Sequence, residues 1–117
     1  MITLKQTKLE ILVAPDFWKI PLMNFVDDFR YHKNLKAIAE PFILGDNKID
    51  AVLASTAEAL CDEMNLEMPQ WLSEIEACNE PFFVSGLDNL KAATIVQSPL
   101  RFRIRKIFVL ENFLSRV

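Results

Sequence analysis

The chain contains one histidine, His32, and two cysteines, Cys61 and Cys78. A Ser-His-Asp or Cys-His arrangement would have to use that single imidazole, because nucleophile, base and oxyanion donor must converge. His32 sits in Arg30-Tyr31-His32-Lys33 at the end of a predicted helix. There a basic side chain favours the negative helix terminus and can bond a terminal carbonyl, so capping is its expected role. Cys61 and Cys78 lack metal-ligand spacing, and structural zinc needs close to four Cys or His ligands. They read as two free thiols, kept reduced in a cytosolic chain. The adjacent carboxylates Asp27-Asp28 and Asp62-Glu63 point about 100° apart on a helix, so each pair diverges. Glu58 and Asp62, at i and i+4, could converge on a divalent cation, but two exposed carboxylates hold one weakly. A solvated acidic face is the expectation for both. Two glycines cannot build a loop that cradles phosphate. No metal, cofactor or catalytic residue is therefore expected. Phe17-Trp18, Trp71 and Phe82-Phe83 could line an apolar pocket, but a domain of this size needs its aromatics for the core.

The remaining chemistry lies in charge. The net charge of −3 is unevenly spread: six bases and four acids in residues 1–39, one base and eleven acids in 40–90, six bases and one acid in 91–117. Arg101, Arg103, Arg105 and Lys106 form a basic run. Arginine suits planar carboxylate or phosphate recognition. On a helix Arg101 and Arg105 share a face and Arg103 points away, whereas a strand would align all three. Two readings stay open: the run pairs with the acidic helix 47–64 of the same domain, or it meets a partner.

These residues must be positioned by a chain of 117 residues, 51% hydrophobic and 25% charged, which predicts one domain spanning 1–117. Such a chain buries roughly 65% of the surface its unfolded form exposes. The longest apolar runs are four residues, far short of the roughly 20 of a membrane span. The amino terminus lacks the apolar stretch of a signal peptide, so a cytoplasmic location is expected.

Ile2 to Ala14 fits helix or strand equally well, and Pro15 ends it. Leu22, Phe25, Val26 and Phe29 predict a helix over about 21–33. Ile49, Val52, Leu53, Ala57, Leu60, Cys61 and Met64 make one stripe on a helix over 47–64, with Asp50, Ser55, Glu58, Asp62 and Glu63 mostly outside it and Asp46 or Asn47 as cap. A short helix is expected over 68–78, an extended connector over 81–84 and a helix over 86–97. Ser98-Pro99 reads as a helix start. Leu100, Ile104, Ile107 and Phe108 would share one face of it, with Phe102, Val109 and Phe113 opposite, so a continuous helix over 99–116 would be apolar on two sides. A break is expected near Lys106–Leu110 and a short final helix near 110–116. The sum is an all-α domain, a small irregular bundle of five or six helices.

Phe83-Val84-Ser85-Gly86-Leu87-Asp88-Asn89-Leu90-Lys91-Ala92 and the stretch from Ser98 to Leu114 resemble the carboxy-terminal part of a family of small uncharacterised bacterial proteins. Pro21 to Arg30 resembles their front part. Where those relatives tend to carry three consecutive arginines, this chain has Arg103-Ile104-Arg105. The resemblance implies an accessory or regulatory role, in a small operon of toxin–antitoxin type. The functional expectation is a non-catalytic protein that binds another protein through Arg101, Arg103, Arg105 and Lys106, with a homodimer also compatible. The alternative is a DNA-binding regulator with a helix-turn-helix near 70–97. Nucleic acid is disfavoured because that second helix offers only Lys91 as a base.

Overall fold

The computed structural model describes residues 1–85 and 90–115. The fold is mainly helical, as the periodicity predicts. It also contains a two-stranded parallel sheet, which an all-α reading omits.

The ambiguous first segment is helix α1 (Leu4–Val13). Thr3 caps it by accepting from Gln6 N at 3.0 Å. Helix α2 (Lys19–His32) buries Leu22, Phe25, Val26 and Phe29, the predicted stripe. It ends where Lys33 turns left-handed (φ 51°) and donates to Phe29 O.

Helix α3 (Asn47–Met64) has the predicted bounds. Asp46 caps it, accepting from Lys48 N at 2.8 Å and Ile49 N at 3.2 Å. Its surroundings differ from expectation. α3 touches α1, α2, the 3-10 turn Gln70–Glu74 and the later helix α5 (Leu100–Ile104). Asp50, Ser55 and Glu58, expected outside, are therefore buried along with the stripe. Their polar groups are met from other elements: Lys8 of α1 pairs with Asp50, and Arg105 pairs with Glu58.

The helix expected over 68–78 is only that 3-10 turn. Trp71 Nε1 donates to Ile38 O at 2.9 Å, and its ring meets Phe42 edge-on. Beyond it, Cys78 N donates to Arg105 O at 2.9 Å, not to the carbonyl four residues back. Tertiary partners thus take the groups that a longer helix would use.

Strand β1 (Phe82–Phe83) pairs with β2 (Ile107–Phe108) in parallel, Phe82 opposite Ile107. Phe83 stacks on Phe108. Between the strands lie α4 (Lys91–Gln97) and α5, joined by Ser98-Pro99. The expected start of the first of these, Gly86–Asn89, lies outside the described residues, as do Arg116 and Val117. Ser98 does not cap α5. Its hydroxyl donates to Ile107 O at 2.9 Å and accepts from Val109 N at 3.2 Å, tying the helix junction to β2. The break comes at Arg105–Lys106, where Lys106 is left-handed (φ 62°). Strand and turns follow there instead of a final helix, because Ile107 and Phe108 are committed to β1.

Thr56 Oγ1 on α3 is buried without a hydrogen-bond partner among the described residues. A buried unsatisfied hydroxyl costs about 1–3 kcal/mol. Thr56→Val is expected to raise stability by about 1 kcal/mol. Urea unfolding midpoints check this, and an unchanged or lower midpoint contradicts it.

Candidate functional site

The four basic residues expected to act together are split by the fold. Arg105 follows α5 and is only 5% exposed. Its guanidinium pairs with Glu58, and donates to Leu72 O at 2.7 Å, to Ile75 O at 3.2 Å and to Ser55 Oγ at 3.4 Å. It cannot serve a partner, and the expected surface is corrected to three residues. Arg101 grips Asp62 with two bonds of 2.7 and 3.2 Å. That hydrogen bonding holds the Arg101 guanidinium more firmly protonated than usual. The pair is partly solvated, so it adds only about 0–1 kcal/mol. Arg103 and Lys106 are exposed.

Of the two apolar sides expected on this segment, the fold buries the one carrying Phe102. Phe102 is fully buried and meets Phe113 edge-on, with Arg105 three residues on. Leu100 and Ile104, on the other side, are 59% and 57% exposed and share that side with Arg103. Turning the helix over would bury these two aliphatics but strand Glu58 and expose Phe102. Ile95 and Val96 of α4 are also exposed, just before the Ser98-Pro99 junction. Exposed aliphatics on α4 (Ile95, Val96) and on α5 (Leu100, Ile104) thus lie close in the chain to the exposed Arg103 and Lys106.

The other chemistry-bearing residues do not converge on it. His32 Nε2 lies 3.5 Å from Asp28 Oδ1, one turn back on α2, and its ring packs edge-on to Tyr31. Asp28 also accepts from Ile2 N at 2.7 Å. Glu58 and Asp62, candidates for a shared cation, are taken separately by Arg105 and Arg101. A depression of about 300 Å³ over Asp50 is lined by Asn47, Glu74, Glu76 and Asn79, among others. Of the expected helix-turn-helix, the first helix is the five-residue 3-10 turn.

Cys61 and Cys78 are free and buried. Burial, then the carboxylates of Asp62 and Glu58, push the Cys61 thiol up to about 11 against Arg101. Burial also raises the Cys78 thiol. The folded chain holds Cys61 neutral while the unfolded chain ionises it near pH 9, so unfolding releases a proton above that pH. Stability is expected to be insensitive to this group below about pH 9 and to fall as pH rises toward 11. Urea midpoints across that range, with Cys61→Ala flattening the fall, check it.

Sequence reasoning missed Lys8, Asp50 and Glu58 as interior charges. One signal was present: off the stripe, α3 carries Ala51, Ala54 and Ser55, small residues that let neighbours approach from every side.

Comparison with protein-family models, with curated proteins and with solved structures finds no match to this chain.

Proposed function

We propose that this chain is a non-catalytic accessory protein of a bacterial cytoplasm that docks another protein on its α4–α5 surface. The observation carrying the reading is the outward face of α5, where Leu100 and Ile104 stand in solvent beside Arg103. An exposed apolar patch rimmed by charge is the usual form of an interaction site. The partner's surface is apolar and flanked by carboxylates, which fits planar pairing with arginine. A second copy offering the same face fits less well, since a two-fold axis passing near Arg103 or Lys106 would bring like charges together.

The test is affinity capture from the native host, followed by titration of the recovered protein. Leu100→Glu with Ile104→Glu is expected to abolish binding. Arg103→Ala with Lys106→Ala is expected to slow association and flatten its salt dependence. Retention of the same partner by the Leu100/Ile104 variant overturns the reading. Salt-steep, sub-micromolar binding of duplex DNA, with a log–log slope of about −0.9 per phosphate contacted, promotes the DNA-binding alternative instead.

A further inference from the structure

The register of the parallel sheet brings together the residues that follow its two strands. Val84 comes directly after β1 and Val109 directly after β2, and Val84 N donates to Phe108 O at 3.2 Å. Beyond Val109 the chain turns, with Phe113 N donating to Leu110 O at 3.0 Å and Ser115 N to Asn112 O at 2.9 Å. The Phe113 ring meets Phe102 edge-on, and Arg30 of α2 donates to Leu114 O at 2.7 Å. These contacts frame a depression of about 280 Å³ walled by Val84, Val109 and Phe113, among others. A second, of about 270 Å³, adjoins it against Leu22 and Met23 of α2. Lys19, Phe113 and Ser115 line both, so the two form one cleft around the Phe113 ring. Its walls are tied by the bonds above, so filling it requires little ordering.

Charge sets this cleft apart from its neighbours. The depression over Asp50 also carries Glu74 and Glu76, the one beside it carries Asp46 and Glu80, and a groove at the end of α1 carries Glu10. The cleft around Phe113 is lined by no carboxylate among the described residues. Its ionic group is Lys19, the first residue of α2. The Lys19 ammonium lies 5.6 Å from the centre of the Trp18 ring and has no carboxylate partner among the described residues. An apolar cleft with one cation and a few polar groups at its rim, here Asn112 and Ser115, has the composition of a small-molecule site. The complementary ligand is an amphipathic anion. Its apolar part displaces water from Phe113, and its head meets the ammonium. One ammonium balances one negative charge, which favours a carboxylate over a phosphate carrying nearly two.

We infer that the cleft between the start of α2 and the turn after β2 binds a small apolar carboxylate, its head on Lys19 and its chain along Phe113. The experiment titrates the full chain, labelled with nitrogen-15, with octanoate and with octane-1,2-diol, an uncharged probe of the same chain length. Octanoate is expected to shift the amides of Lys19, Val84, Phe113 and Ser115 saturably, with a dissociation constant on the order of 1 mM. The diol is expected to bind the same site about fivefold more weakly, the upper end for a partly solvated ion pair. Lys19→Met should bring octanoate to the level of the diol and leave the diol unchanged, whereas Lys19→Arg should keep the difference. Ser115→Trp should fill the cleft from its exposed rim and abolish binding of both probes. The Lys19 series alters one exposed side chain, so it decides the question if the tryptophan variant misfolds. Shifts centred on other residues, or shifts that do not saturate, overturn the site. Equal affinity for the two probes, or octanoate binding indifferent to Lys19→Met, overturns the anionic ligand. The cleft shares no residue with the α4–α5 surface, so either result leaves that reading to its own test.

Discussion

Arg105→Ala lowers the unfolding free energy by about 3–5 kcal/mol, the range for breaking a buried ion pair from one side. Glu58 is nearly as buried as its partner, with 7% of its side chain exposed. Removing the guanidinium strands that carboxylate and takes the Arg105 donor from Ile75 O and from Leu72 O, the latter keeping only Ile75 N at 3.1 Å. The 3-10 turn, α3 and the end of α5 are joined at this one group, so the loss reaches three elements. Arg105→Lys should fall between wild type and alanine, since an ammonium can meet Glu58 but cannot also fork to both carbonyls. Replacing both partners, Arg105→Met with Glu58→Leu, should recover much of the loss, because no uncompensated charge then remains. Urea unfolding followed by circular dichroism measures all three. A cost below about 1 kcal/mol for Arg105→Ala would place Arg105 with the exposed pairs.

Lys8→Met is the second large effect, about 3 kcal/mol and smaller than that of Arg105→Ala. Lys8 is 1% exposed, pairs with Asp50, and lies 5.4 Å from the centre of the Phe42 ring. Methionine keeps the apolar stem and removes the charge. The two sites differ in what happens to the abandoned carboxylate. Asp50 lines an open depression and still accepts from Gly45 N at 2.8 Å, so water reaches it and part of the penalty is relieved. Lys8→Met with Asp50→Asn keeps the acceptor for Gly45 and should return most of the stability. The ranking of the two single variants is the informative result. Equal or reversed costs would show that the depression does not rehydrate Asp50.

Both substitutions also bear on the outer surfaces. Each buried cation sits on or directly after a short helix whose opposite side is apolar: Lys8 on α1 with Leu9, Leu12 and Val13 outward, Arg105 at the end of α5 with Leu100 and Ile104 outward. A charge that must stay with its counter-ion decides which way the helix faces, and the aliphatics take the remaining side. The exposed patches are consequences of the buried pairs.

Helices α2 and α3 were legible from local signals alone. Their apolar residues recur with the helical period, and Asp46 offers a short acceptor to the first turn of α3. Such signals act within a few residues, so no partner is needed to read them. The site was less legible. Arg101, Arg103, Arg105 and Lys106 are neighbours in the chain, and nothing in their spacing separates the buried one from the exposed ones. That separation depends on Glu58, Leu72 and Ile75 arriving at one point from 30 or more residues away. The parallel pairing of Phe82-Phe83 with Ile107-Phe108 likewise joins two-residue segments too short to signal themselves. α3 reads as a one-sided amphipathic helix, but it is enclosed because four other elements pack around it. Periodicity reports which residues can share a face. How many faces are covered, and which charges are carried inside, depends on long-range pairing that makes the desolvation of Lys8 and Arg105 tolerable.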